Sequence, residues 1–125
     1  MKDFKELVQK RRSIRNFKDE ELKPEELQTI LRAGLMAPTG KSVRGWHFIV
    51  VDNKDILARI SQCRQAGAAF VADAPVAVVV LYDTSLSDVW VEDSSIAAVT
   101  MQYQAADMGI GSCWAQVRLR SQEDG

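Results

Sequence analysis

The stretch RRSIRNF, residues 11–17, gathers three arginines, Arg11, Arg12 and Arg15, around one hydroxyl, Ser13. Guanidiniums this close in sequence repel one another unless an anion or carboxylates lie between them. Each offers a planar fork for bidentate hydrogen bonds to phosphate, and a serine hydroxyl can complete the shell. Arg11 and Arg12 also have a structural use, because a cation at a helix C-terminus gains about 0.3–1 kcal/mol from the macrodipole. That use does not require Arg15. A bound anion accounts for all three, and a solvated helix end accounts for two.

A second polar concentration is APTGKSVRGW, residues 37–46, which lies between a helical and a strand-like segment. Pro38, Gly40 and Gly45 shape it, Thr39 and Ser42 bring hydroxyls, and Lys41 and Arg44 bring charge. It can be read as an ordinary polar connection or as a loop that hydrogen-bonds a polar ligand. It is not a nucleoside-triphosphate loop, because Leu35 stands where the earlier glycine would be. Gly109-Ile110-Gly111 is not a dinucleotide-binding turn either, since it follows a helix and precedes a strand-like run. His47, the sole histidine, falls in a strand pattern and is expected to pack or face solvent. Glu92 and Asp93 suit the positive end of a helix and are read as capping charges rather than an acid–base pair. No hydrolytic triad and no metal-ligand spacing is present, so no side chain is assigned a catalytic role. Cys63 and Cys113 have no CxxC or Cys/His spacing and read as small buried hydrophobes.

The elements that must carry these groups follow from periodicity. Asp3 and Glu6 resemble a capping box ahead of a helix whose apolar face is Phe4, Leu7 and Val8 and whose end is Lys10, Arg11 and Arg12. Pro24 opens a second helix with Leu27, Ile30, Leu31 and Leu35 on one face. Trp46–Val51 is a strand, closed by Asp52 and Asn53. Ile56, Leu57, Ile60 and Cys63 mark a third helix, continuing irregularly toward Val71. Val76–Tyr82, apolar on both faces, suits a strand in the middle of a covered sheet. From Val91 to Met108 a long helix is apolar around most of its girth, which predicts burial, within the domain or between subunits. Gly109 can end it, and Ser112–Val117 reads as a further strand. Elements alternate without repeats or linkers, so the chain is read as one α+β or α/β domain over residues 1–125.

Composition limits the partners. The chain has 125 residues, 46% of them apolar, and 16 basic against 17 acidic residues give a net charge of -1. That is enough apolar material for a core, with no global field to draw the protein to nucleic acid or a charged membrane surface. No run approaches the ~20 apolar residues of a membrane helix, and MKDFKEL lacks the apolar region of a secretion signal. A cytoplasmic protein is expected.

RRSIRNF, APTGKSVRGWHFIVV and VEDSSIAAVTMQYQAADMGIGSCW, in this order, resemble the three signatures of the nitroreductase-like flavoproteins, and the resemblance spans nearly the whole chain. It implies an α+β fold with a central, mainly antiparallel sheet flanked by helices. It implies FMN as cofactor, NADH or NADPH as electron donor, and a homodimer with flavin sites at the subunit interface. The activity implied is two-step reduction of nitroaromatics, quinones or similar electron-poor small molecules, the chemistry being carried by FMN. A flavin- or nucleotide-phosphate-binding module without catalysis is the alternative. By the resemblance, Arg11, Arg12, Ser13 and Arg15 hold the FMN phosphate, ribityl chain and pyrimidine edge. The loop with Pro38, Thr39, Gly40, Ser42 and Arg44 reaches the flavin from the partner subunit, and Trp114, Ala115 and Gln116 pass beside the isoalloxazine ring. Ser42 stands where many members have asparagine, and Arg44-Gly45 where Gln-Pro is common. The family's C-terminal segment, which commonly adds a basic phosphate contact, is expected to be missing from these residues.

Overall fold

The computed structural model describes residues 3–121. In chain order they form α1 (Phe4–Lys10), α2 (Pro24–Leu35), a 3-10 turn (Gly40–Ser42) and β1 (Trp46–Val51). Then come α3 (Lys54–Ile60), a second 3-10 turn (Ala69–Asp73), β2 (Ala77–Tyr82) and α4 (Trp90–Asp107). The start signals act as their chemistry dictates. The Asp3 carboxylate accepts the Glu6 N–H at 2.9 Å at the head of α1, and Asn53 accepts the Ile56 N–H at 3.1 Å at the head of α3. Pro24 occupies the first turn of α2, where its missing N–H is not needed. At the end of α4, Gly109 takes φ +74°, and the Ile110 N–H returns to the Ala105 carbonyl at 2.9 Å, which closes the helix.

β1 and β2 pair antiparallel, with Trp46 opposite Tyr82, Phe48 opposite Val80 and Val50 opposite Val78. α4 lies over the face bearing Trp46, Phe48, Val80 and Tyr82. Its buried residues, Asp93, Ala97, Met101 and Ala105, recur every fourth position and form one stripe. Ala97 sits in a core cluster with Ala37 and Trp46, and Met101 and Ala105 join Ile30 of α2 in another. Gly34 lets α2 approach closely, because a Cβ there would fall 2.9 Å from the Met101 side chain. Leu57, fully buried in α3, packs against the second 3-10 turn, where Val71 is also buried.

Two readings of the sequence need correction. Ser112–Val117 is not a strand: its one described ladder contact is an isolated parallel bridge between Ser112 and Ser13, and residues 113–117 take no regular element. β propensity cannot make a strand without an edge to pair with. α3 stops at Ile60 rather than continuing irregularly toward Val71, broken by turns through the Gly67 region, where Gly67 has φ +96°. Among the described residues β2 pairs with β1. No helix of the described residues is long and apolar enough to cross a membrane.

Candidate functional site

The bridge between Ser13 and Ser112 joins the two ends of the sequence signature pattern. The Ile14 N–H donates to the Ser112 carbonyl at 2.9 Å, which seats RRSIR beside the segment leading to Trp114, Ala115 and Gln116. Arg11 is the C-cap of α1, and its guanidinium lies over the Tyr103 ring of α4 at 5.9 Å. Arg12, exposed, donates to the Arg11 carbonyl at 2.9 Å, and Arg15 lies over the Phe70 ring at 6.0 Å. Among the described residues the partners of all three guanidiniums are therefore neutral, one carbonyl and two aromatic rings. Three positive charges in five residues, with the Ser13 hydroxyl exposed among them, retain their capacity for an anion. This donor set fits a phosphate.

Trp114 is 43% exposed, and its indole N–H donates to the Gln116 side-chain oxygen at 2.8 Å. The Gln116 amide then donates to the Arg118 carbonyl at 2.8 Å, and its own carbonyl accepts from Arg64 at 3.1 Å. The segment Trp114–Gln116 is thus held largely by side chains, and among the described residues its backbone joins no ladder. Arg64 was not among the residues expected at this site; only the contact across 52 positions reveals it.

The 38–44 loop is built differently. The Thr39 hydroxyl accepts the Arg44 N–H at 3.1 Å, and the Val43 N–H closes on the Gly40 carbonyl at 3.2 Å. Lys41, Ser42 and Arg44 all lie in the left-handed region, with φ of 54°, 56° and 55°. Side-chain-bearing residues rarely adopt this conformation, and three within four positions must be held by their surroundings. The Gly40 N–H donates to Oδ1 of Asp93 at 3.1 Å, and the Tyr82 hydroxyl donates to Oδ2 at 2.8 Å. Asp93 is 2% exposed and makes no side-chain cap on its own helix. Glu92 and Asp93 do lie in the first turn of α4, as read from the sequence, and Asp93 adds a cross-element role to that position. Burial, then the Asp93 hydrogen bond, raises the Tyr82 hydroxyl above its ordinary pKa. Gly45 is required beside it, because a Cβ there would fall 2.6 Å from the Tyr82 ring; this explains glycine where Gln-Pro is common.

The loop and the arginines meet α4 at different heights. The loop is tied to Asp93 near the start of α4 and Arg11 to Tyr103 near its end, ten residues apart, or roughly 15 Å along the axis. His47 is exposed on β1 opposite Leu81, and Cys63 and Cys113 are free and half-buried; none of them adds to the site.

These features are a helix-packed antiparallel sheet with an arginine-rich segment bridged to an aromatic one, and comparison with known proteins assigns them to a family. The sequence model of the nitroreductase family matches residues 8–68. Two curated relatives bear the name "Putative NADH dehydrogenase/NAD(P)H nitroreductase". The one from Methanothermobacter thermautotrophicus is 40% identical over 92% of this chain and 61% of its own length. The one from Archaeoglobus fulgidus is 34% identical over 98% of this chain and 72% of its own. A solved FMN-dependent nitroreductase from Clostridium difficile superposes with a TM-score of 0.90 at 51% identity, covering 91% of this chain and 66% of that one. A nitroreductase from Bacteroides fragilis with bound FMN superposes at 0.79 with 25% identity, over 92% of this chain and 70% of that one. The chain belongs to the nitroreductase family. It spans 61% of the first of these curated relatives.

Proposed function

We propose that this chain belongs to an FMN-dependent NAD(P)H oxidoreductase that reduces nitroaromatics, quinones or similar electron-poor molecules, working as a homodimer. FMN, when bound, would accept hydride from the nicotinamide and pass electrons to the second substrate. The chain's own residues bind and orient it. Arg11, Arg12, Arg15 and Ser13 hold the phosphate end and the polar edge, where positive charge also favours an anionic ring. The Trp114–Gln116 segment, bridged to them through Ser112, lies along the ring. Pro38, Thr39, Gly40, Ser42 and Arg44 of the partner subunit form the opposite wall.

The observation that carries this reading is the cluster of three guanidiniums whose partners among the described residues are neutral, joined by the Ser13–Ser112 bridge to an aromatic segment outside any described ladder. The separation of the loop from the arginines along α4 supports a site completed across two protomers. The test is the visible absorption spectrum of purified protein with FMN under anaerobic conditions. NADH or NADPH should bleach the flavin band, and a nitroaromatic or quinone should restore it. Bound flavin that neither nucleotide bleaches would favour a binding module without catalysis, and no flavin binding at micromolar protein would end the reading.

A further inference from the structure

We propose that Asp93 is the positioning residue of the 38–44 loop: its buried carboxylate fixes the loop's left-handed backbone, and thereby the loop's approach to the flavin, without touching a ligand. This rests on the reading that the loop is one wall of the flavin site.

Burying a carboxylate is costly unless hydrogen bonds replace its water, and an apolar residue of similar size often serves packing as well or better. Packing alone therefore does not explain a carboxylate 2% exposed in the first turn of α4. The helix N-terminus helps tolerate the charge, but many exposed acidic residues enjoy the same benefit. What two acceptor oxygens can do, and an apolar side chain cannot, is join donors from two elements. Oδ1 takes the Gly40 N–H of the loop at 3.1 Å, and Oδ2 takes the Tyr82 hydroxyl at the end of β2 at 2.8 Å.

The loop needs such an anchor. Lys41, Ser42 and Arg44 have positive φ, and the other described hydrogen bonds between residues 38 and 44 stay inside the loop, among Thr39, Gly40, Ser42, Val43 and Arg44. Gly40 is seated so closely on the head of α4 that a Cβ would fall 2.8 Å from Val89. At the far end of the loop, the Gly45 carbonyl accepts the Asp83 N–H at 2.9 Å, while the Tyr82 ring covers Gly45. The Asp93–Tyr82 pair thus holds the middle of the loop directly and its end through the ring.

Asp93→Asn keeps the size but exchanges the charged acceptors for a neutral amide, whose oxygen can keep the Gly40 N–H while its N–H meets the Tyr82 hydroxyl oxygen as donor, and Tyr82→Phe removes only the hydroxyl. The first readout needs no cofactor. Lys41 and Arg44 are exposed trypsin sites within the loop, and Lys5 and Lys10 in α1 are internal standards. Loss of the charge assistance in these two bonds should speed loop cleavage about tenfold in Asp93→Asn, and loss of one bond less in Tyr82→Phe, with the standards and the circular dichroism unchanged. The second readout is affinity for FMN and for riboflavin, which lacks the phosphate. Asp93→Asn should weaken both about equally, leaving their ratio intact, whereas Arg12→Ala should collapse the ratio. Unchanged loop cleavage in both variants overturns the proposal. So does acceleration at all sites alike, or faster loop cleavage with unaltered flavin affinity. Wild-type protein that binds neither flavin overturns the flavin reading, and with it the second half of this proposal, while the trypsin comparison still decides the first.

Discussion

At the scale of single residues, Arg12 and Arg15 test the phosphate site. Each is exposed, so alanine should leave the fold intact while removing a charge-assisted contact of ~1.5–3 kcal/mol. FMN affinity should fall about tenfold or more in each variant, measured by quenching of flavin fluorescence; unchanged affinity in both would remove the phosphate role. Tyr82 makes a second prediction. Its folded-state pKa is raised above 10.0, first by burial and then by Asp93. A raised pKa stabilises the fold fully below the unfolded value and loses that contribution as pH climbs through the folded one. Urea melts above about pH 10 should therefore show a loss of stability in the wild type that Tyr82→Phe does not share; parallel curves would contradict the assignment. The arginines were legible in the sequence because a cluster of like charges is a local signal. Asp93 was not, because an acid in the first turn of a helix is ordinarily solvated, and its partner Gly40 lies 53 residues away.

At the scale of elements, α1 decides how firmly the arginines are presented. It has seven residues, none buried, and is held by the Asp3 cap and by Phe4 against Tyr103 at 5.8 Å. Helices this short are marginal alone. Asp3→Ala should cost about 0.5–2 kcal/mol locally, read as faster amide exchange over residues 4–11 with α4 unaffected; equal exchange in the two proteins would show that packing on Tyr103 suffices. The bounds of α2 and β1 could be read from Pro24 and from WHFIVV because their signals are local and their apolar faces meet α4. Ser112–Val117 misled for the opposite reason: SCWAQV has strand composition, but its neighbours are Ser13 and a set of side chains, and whether an edge is available is a property of tertiary structure.

At the scale of the whole molecule, several large apolar side chains stand on the surface. Phe4, Leu35, Met36, Leu86, Val117 and Leu119 are all more than half exposed, with Met36 at 75%. On a second copy of the chain such side chains would find cover, which the homodimer proposed above would supply. A flavin held between the arginines of one subunit and the loop of the other would contact both, so cofactor binding and dimerisation should be thermodynamically linked, each favouring the other. The melting temperature should rise with protein concentration. Saturating FMN at about a hundred times its Kd should add ~2.7 kcal/mol, a shift on the order of 10 °C for a chain of this length. The same FMN should lower the concentration at which light scattering shows the dimer to give way to monomer. A stable monomer at micromolar concentration with FMN bound would refute the shared site, because a single protomer would then be holding the flavin with its arginines and Trp114–Gln116 alone.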